Sequence, residues 1–337
     1  MIPRCTSRGR SWQIGLGWML TAGVLLLAVA VGVAQAQTAP AGKASATAKI
    51  QKKGAVPPPP PPLDLNNPED AVKAARKLQS SLEDGKPTIF WFQGNVYSRI
   101  PGERDRLLFT YQAMNIRASK AVTEAGRGYG YRQVSREVLI YLDPKTKEVV
   151  RTWRNPWTNK DVEVVHVAND PVNSRPMFAQ GPNGPFKLDV TLKEGLGIYQ
   201  VEVPLWYTNP LGGDYQAYVG GDYQCIELFT FYFNEKQLLD ATMADAPDVN
   251  VAWSRVSQFL PWMEMGGRVG YMIFSGAGRK ISSFDALPDV LKAEIAAKYP
   301  EYKTPPSVDD TRPNETSWTY FKKVVDKKKA QAPQPPK

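Results

Sequence analysis

Apolar residues recur at two different spacings along the chain, and each spacing predicts a different kind of element. The first series has the three-to-four-residue spacing of one helix face and consists of Ala71, Val72, Ala75, Leu78 and Leu82. Asn67 is a good capping residue, Pro68 suits a first helical turn, and two acids follow at the positive end of the helix dipole. The pattern therefore predicts a helix that begins at Pro68 and ends by Gly85.

The spacing then changes to two, which is typical of half-buried strands. Leu188, Val190 and Leu192 alternate with polar residues, and the same alternation continues through residues 199–205. Less regular strands are predicted at residues 88–97, 107–116, 129–142, 148–153, 162–167, 223–233, 249–259 and 269–275. The run 223–233 is apolar on both faces, so we expect neighbouring elements to cover it on both sides.

Two further helices are predicted near the end of this region. One carries Leu287, Leu291 and Ile295 and ends before Pro300, and the other begins near Ser317. About ten antiparallel strands with helices only at the ends indicate a mainly β fold. We predict a single antiparallel barrel or strongly curled sheet, similar to a lipocalin, and a two-sheet β-sandwich is the alternative. No linker interrupts residues 63–326, so they are interpreted as one β-rich domain.

The first 36 residues have the features of a secretory signal peptide. Arg4, Arg8 and Arg10 precede an uncharged apolar stretch, and Ala34-Gln35-Ala36 places small residues where signal peptidase cleaves. We therefore expect export by the general secretory route, to the periplasm or the medium. An uncleaved membrane anchor is the alternative, because the stretch is just long enough to span a bilayer.

Residues 37–62 and 327–337 are rich in Ala, Lys and Pro and are predicted to be a disordered stalk and tail. The stalk ends in six consecutive prolines, which favour an extended polyproline rod. The whole chain carries a net charge of +9, but 31 basic and 33 acidic residues remain without the signal, stalk and tail. The positive excess therefore predicts weak contact with an anionic membrane surface, and no nucleic-acid partner is expected.

Two stretches of the chain carry a family likeness. The first consists of residues 141–146, 153–158 and 166–173, and the second of Pro261-Trp262-Met263, Gly278-Arg279-Lys280 and residues 312–320. Together they resemble a family of exported proteins catalogued as a domain of unknown function, DUF1838. The resemblance covers nearly all of residues 63–326 and implies that this region is one unit, with the stalk and the tail as additions. It implies no established activity, and no site residue follows from it.

His166 is the only histidine in the chain, and its unperturbed pKa lies near neutrality. A single histidine excludes zinc sites that need two or three, and neither a metal site nor a cofactor is predicted. On its predicted strand His166 shares a face with apolar Val164, so it is expected to point inward. Asp170 follows four residues later, which makes the pair a candidate general base and orienting carboxylate. The alternative is a hydrogen-bonded structural histidine, with Asp170 in a turn before Pro171.

A second candidate site surrounds Arg154, which lies between Trp153 and Trp157. A guanidinium can bind a carboxylate or phosphate through two hydrogen bonds while indole rings contact an apolar ligand. Asn169 and Asn173 are the remaining candidate ligand-binding residues. The alternative is a surface hairpin whose tryptophans close one end of the barrel.

Three hypotheses for the function remain open. The first is an exported protein that binds a small, largely apolar ligand in its interior, with Arg154 and His166 as the polar contacts. The second is a cofactor-independent isomerase or cyclase that uses His166 as its base. The third is a structural or interaction domain of the cell envelope, which requires a filled core and an exposed apolar patch. The oligomeric state is left open.

Overall fold

The computed structural model describes residues 58–207, 211, 222–265 and 267–331. The signal peptide, most of the stalk and the last six residues of the tail lie outside these ranges, so their predictions stay untested. All described residues belong to one unit, Pro57–Lys337. None of the helices in the described ranges is both long and apolar enough to cross a membrane.

Four α-helices are described. Their bounds are α1 Pro68–Gln79, α2 Glu235–Leu239, α3 Asp289–Lys298 and α4 Ser317–Gln331. Two of them, α1 and α4, begin close to their predicted first residues, and α3 ends before Pro300 as predicted but does not include Leu287. The Asn67 side chain accepts hydrogen bonds from the backbone N–H groups of Glu69 and Asp70, as its position before the helix predicts. The ammonium group of Lys280 donates to the carbonyl oxygens of Lys77 and Ser80, and so caps the last turn of α1.

Helix α4 continues past Asp326, where the folded region was expected to end, as far as Gln331. Lysine has a high intrinsic helix propensity, and residues 327–329 are three consecutive lysines. The prediction of a disordered tail considered only their charge. An ion pair between Lys328 and Glu163 attaches this last part of the helix to the sheet region. The predicted tail therefore begins within a helix.

Most strands lie in one large antiparallel sheet, which confirms the mainly β prediction. Their bounds are β1 Thr88–Arg99, β2 Arg106–Glu124, β3 Gly128–Leu142, β4 Thr152–Arg154, β5 Asp161–Glu163, β6 Val167–Asn169, β7 Met177–Phe178, β8 Gln180–Gly181, β9 Gly184–Pro185, β10 Val190–Lys193, β11 Leu196–Tyr207, β12 Tyr223–Asn234, β13 Val249–Ser257 and β14 Tyr271–Ile281.

The ten-stranded sheet has the order β10-β11-β12-β13-β14-β1-β2-β3-β6, and β7 also pairs with β3. Strand β1 therefore lies between the last strand of the chain and the second. Strands β4 and β5 form a separate hairpin, as do β8 and β9. In the described ranges β10 and β6 are the two ends of the order and do not pair with each other.

The two faces of the sheet carry two different cores, because side chains alternate along each strand. On β3, Leu139 and Tyr141 belong to the larger core, whereas Val138 and Ile140 belong to the smaller one. We call the face with the larger core the cavity face and the opposite one the α3 face. Helices α1 and α4 contribute to the larger core, and α3 covers the smaller one.

Strand β12 is covered on one face only, so the prediction that both of its faces are covered is wrong. Cys225 and Phe231 are buried on the cavity face, while Ile226, Leu228 and Tyr232 on the opposite face are 36%, 41% and 37% exposed. The reason lies in the placement of the helices: α3 packs where β1, β2 and β3 present their outer apolar residues. Apolar composition alone cannot locate the helix that covers a strand.

Candidate ligand-binding cavity

A cavity opens on the cavity face of the sheet and contains about 680 Å³ of space free of protein atoms, counting the part open to solvent. Its wall is mostly apolar and aromatic. The residues that line it are Phe92, Ala113, Met114, Asn115, Arg117, Glu137, Val138, Leu139, Tyr141, Val167, Glu227, Phe229, Trp253, Arg255, Leu260, Phe274 and Ser317. A few polar groups in an apolar wall are typical of small-molecule sites.

The polar groups line the cavity because they occupy positions on the cavity face of four strands. Glu137 precedes Leu139 and Tyr141 on the same face of β3, and Asn115 and Arg117 extend the same pattern on β2. Glu227 on β12 and Arg255 on β13 lie nearer the other end of the strand order, and these two residues are opposite each other in the β12–β13 register. Each strand therefore places one or two polar side chains among hydrophobic ones.

Arg255 and Glu227 form one polar cluster of the cavity. The Nη1 of Arg255 is 3.1 Å from the Oε1 of Glu227, and its Nη2 donates to the hydroxyl of Tyr223 at 2.7 Å. The two charged side chains are only 13% and 20% exposed. Burial by itself lowers the pKa of Arg255, but Tyr223 and Glu227 outweigh it and the pKa is raised. The positive charge of Arg255 is therefore balanced by Glu227.

Glu137, Asn115 and Arg117 form a second polar cluster. The Asn115 amide donates to the Oε1 of Glu137 at 3.0 Å and accepts from the Nε of Arg117 at 2.6 Å. Burial raises the pKa of Glu137, and the neighbouring Glu227 raises it further. Burial lowers the pKa of Arg117 to about 10, so the guanidinium stays charged at neutral pH. This cluster combines a lasting positive charge with a carboxyl group shifted toward its neutral form.

Three buried donor atoms of cavity-lining residues have no hydrogen-bond partner among the described residues. They are the hydroxyl of Tyr141, the indole Nε1 of Trp253 and the Nε of Arg255. Tyr141 is fully buried and Trp253 is 9% exposed. Burial also raises the pKa of Tyr141, so its hydroxyl retains its proton at neutral pH. A buried donor without a partner costs free energy, about 1–3 kcal/mol each, and therefore needs an explanation.

His166 is buried, as predicted, and lies just before β6, but it does not line the cavity. Its Nδ1 accepts a hydrogen bond from the backbone N–H of Tyr141 at 3.2 Å, and its ring stacks on the Tyr141 ring at 5.8 Å. Nε2 is buried without a partner in the described ranges. Burial lowers the pKa of His166 to about 4, against the opposing effect of Glu294.

Asp170 is not a hydrogen-bond partner of His166. Its carboxylate contacts Arg136 on β3 at 3.0 Å. It also contacts Arg312, which lies on the segment that leads into α4, at 2.8 Å. Asn173 takes part in the same connection, because its backbone N–H donates to Asn314 at 2.7 Å. Asn169 is buried, and its Oδ1 has no partner in the described ranges. Asp170 and Asn173 therefore attach the C-terminal segment to the sheet, and neither lines the cavity.

The arginine between two tryptophans lies in the β4–β5 hairpin. The Arg154 side chain is 55% exposed and contacts Asp161 at 3.2 Å and Asn159 at 2.8 Å. The Trp153 ring packs into the larger core, and the Trp157 indole donates to Glu103 at 3.0 Å. None of Trp153, Arg154 and Trp157 lines the cavity, so the structure does not join them to its polar groups.

The cavity residues that sequence reasoning missed share one signal. Each is a charged or amide residue at two-residue spacing from residues of the cavity face, and Glu227, between Cys225 and Phe229, is the clearest case. Such a residue must face the core if its neighbours at two-residue spacing do, and burying a charge is costly unless it is paired or functional. The described ranges contain no group of three or more His, Cys, Asp and Glu side chains placed to hold a metal ion.

Comparison with known proteins gives a family without an assigned activity. The sequence model of a family described as "Protein of unknown function (DUF1838)" matches residues 85–325, which include every residue that lines the cavity. No curated protein matches the chain.

Proposed function

Since the chain belongs to the DUF1838 family of proteins of unknown function, we propose its function from the cavity: it binds a small, largely apolar molecule there. One observation carries this proposal. Phe92, Phe229, Trp253 and Phe274 form an apolar wall around a cavity that also presents charged groups. Burial of apolar ligand surface against such a wall supplies binding free energy, and a few polar groups fix the orientation of the ligand.

The proposal includes a strongly curled, barrel-like sheet around the ligand. Phe90 on β1 and Phe231 on β12 are three strand spacings apart in the sheet order, and so are Tyr141 on β3 and Phe274 on β14. In a flat sheet three spacings amount to about 14 Å. The ring centroids of these pairs are 6.2 Å and 6.5 Å apart, which supports a sheet that bends toward its cavity face.

A cofactor-independent isomerase or cyclase is the second candidate, and the observation that favours it concerns Glu137. Its carboxyl group lines the cavity and its pKa is raised, so it is shifted toward the state in which it can donate a proton. Glu137 takes the place that His166 held in the sequence-based hypothesis. The third hypothesis, a structural domain of the envelope, requires a filled interior and is disfavoured by the cavity.

Export to the periplasm or the medium also belongs to the proposal, on the basis of the predicted signal peptide alone. An exported binding protein would meet its ligand outside the cytoplasm and need no nucleotide cofactor there. The Lys-rich stalk and tail would bring it weakly to anionic membrane surfaces.

The binding proposal is tested by filling the cavity. Ala113 lines the cavity, whereas Ala277 is exposed on β14, so Ala113→Leu and Ala277→Leu add the same atoms at a cavity and a surface position. We expect the neutral fluorescent probe N-phenyl-1-naphthylamine to bind the unaltered protein and Ala277→Leu equally, and Ala113→Leu at least about tenfold more weakly. Native mass spectrometry of protein purified from its own cells should show a retained small molecule. Equal binding by all three proteins, or no binding, would contradict the proposal.

A further inference from the structure

Three residues that line the cavity each have a buried donor without a partner among the described residues, and this bears on the chemistry of the ligand. The donors are the Nε of Arg255, the Nε1 of Trp253 and the hydroxyl of Tyr141. One carboxylate oxygen of Glu227 accepts from Arg255, and one of Glu137 accepts from Asn115. A ligand that satisfies the three donors must carry acceptor atoms.

The two arginines that line the cavity differ in their partners. Arg255 is balanced by Glu227 at 3.1 Å, but Arg117 has no carboxylate within ion-pair distance among the described residues. The guanidinium of Arg117 donates to the neutral side chains of Asn115 and Gln79, at 2.6 Å and 2.7 Å, and lies 4.7 Å from the ring centre of Phe90. A buried cation without a direct ion-pair partner is costly in a low-dielectric interior.

Glu137 is linked to Arg117 through the amide of Asn115 and makes no direct ion pair with it among the described residues. Its carboxyl group and the Arg117 guanidinium interact electrostatically, but burial and the negative charge of Glu227 raise the pKa of Glu137. Of the two arginines that line the cavity, Arg255 therefore has a direct carboxylate partner and Arg117 does not.

We propose that the ligand of this cavity is an amphiphilic monocarboxylic acid, whose carboxylate pairs with Arg117 and whose apolar part packs against Phe92, Phe229 and Phe274. This inference rests on the proposed binding function and names the class of its ligand. A carboxylate supplies both the negative charge and the acceptor atoms, and guanidinium groups bind carboxylates with well-defined geometry. One unpaired cation calls for one acidic group, and the aromatic wall calls for an apolar remainder.

The test compares two probes with the same hydrocarbon chain length, decanoic acid and decan-1-ol, by isothermal titration calorimetry at pH 7. Decanoate is kept below its micelle concentration and decanol below its solubility limit. We expect the unaltered protein to bind decanoate at least about tenfold more tightly than decanol, because an ion pair with hydrogen bonds replaces a neutral contact. Arg117→Gln should lose this preference while its affinity for decanol stays within about twofold. Arg127→Gln is the matched control, because Arg127 also lies over a phenylalanine ring, that of Phe178 at 3.8 Å, but outside the cavity.

Two further variants keep the test decisive if Arg117→Gln does not fold. Arg117→Lys retains the charge and should retain a preference for decanoate. Trp253→Phe removes one donor but keeps an aromatic ring, and should weaken the binding of decanoate more than that of decanol. Equal affinities for decanoate and decanol, or an unchanged preference in Arg117→Gln, would overturn the inference and leave the binding function in place. Binding of N-phenyl-1-naphthylamine without binding of decanoate would also overturn it. Failure of all three probes to bind would instead refute the proposed function itself.

Discussion

His166 and Glu137 are both surrounded by protein, and burial shifts each of them toward its neutral form. The pKa of His166 falls to about 4, and that of Glu137 rises. The consequences differ because only Glu137 lines the cavity, whereas His166 accepts a backbone hydrogen bond from Tyr141. A neutral imidazole held in this way fits the structural alternative weighed for it from the sequence. A carboxyl group with a raised pKa at a cavity wall fits a binding or proton-donating role.

Because His166 is the only histidine in the chain, its pKa can be measured directly. We expect the ring resonances of His166 in NMR spectra to remain those of a neutral imidazole from pH 8 down to about pH 5, with a midpoint near 4. Because this pKa lies below the value of about 6.5 in an unfolded chain, the unfolded state takes up the proton first. The contribution of His166 to stability should therefore be complete above pH 6.5 and be lost as the pH falls through 4.

His166→Gln serves as the control for this titration, because it removes the ionisable group and leaves a side chain that can still accept from Tyr141. Its free energy of unfolding, measured in urea between pH 7 and pH 4, should fall less steeply than that of the unaltered protein. A midpoint between pH 6 and 7 would contradict the buried neutral histidine and return His166 to the list of candidate bases.

The strand pair β1–β14 depends on a close approach that only glycine allows. Gly94 and Gly276 lie opposite each other in the register, and the hydroxyl of Tyr111 lies over both. A Cβ atom at position 276 would lie 2.0 Å from that hydroxyl and 2.3 Å from the carbonyl oxygen of Gln93. The alternation of the sequence predicts both strands, but it does not show that a tyrosine from β2 occupies the space above two glycines.

Gly276→Ala should therefore lower the free energy of unfolding by about 1–3 kcal/mol, because the added methyl group overlaps a side chain and a carbonyl oxygen. Urea denaturation monitored by circular dichroism measures the loss. In a Tyr111→Phe background, where the hydroxyl is absent, the same substitution should cost less. A loss below about 0.5 kcal/mol in the unaltered background would show that the sheet adjusts without strain.

Prediction at the level of elements succeeded where one pattern decides the outcome and failed where contacts between elements decide it. Helix α1 follows from Asn67, Pro68 and the spacing of its apolar residues, and all three act within the helix. Strand β12 shows the opposite case, because whether Leu228 is covered depends on where α3 packs. Helix α4 is a different case, because its extension past Asp326 agrees with the local helix propensity of its lysines.

At the scale of the whole molecule, helix α4 packs against the sheet and also contributes to the wall of the cavity. Trp318 is fully buried and its ring meets that of Tyr223 on β12 edge to face at 4.8 Å, while Ser317 lines the cavity. The preceding segment attaches to the β6–β7 connection through Arg312 and Asp170. Helix α4 is therefore part of the folded core.

Trp318→Ala should lower the free energy of unfolding by about 3–5 kcal/mol, since it removes a large side chain from a filled site. Lys327→Ala, an exposed position on the same helix, should stay within about 0.5 kcal/mol of the unaltered protein. Thermal unfolding of the two variants, followed by circular dichroism, gives the comparison. Similar stability of both variants would mean that α4 docks without contributing to the core.

The sequence by itself determined the class of the fold, most of its elements and the family, since each of these depends on patterns within a short stretch of chain. The tertiary structure alone decided the site. Glu137, Glu227, Arg117 and Arg255 are far apart in the chain and meet only because four strands of one sheet line the same cavity. His166, Asp170 and Arg154 stood out as local motifs, but none of them lines the cavity. His166 accepts a backbone hydrogen bond from Tyr141, Asp170 pairs with Arg312, and Arg154 lies on a surface hairpin. A local motif reports the chemistry of its residues, whereas their contacts depend on long-range packing.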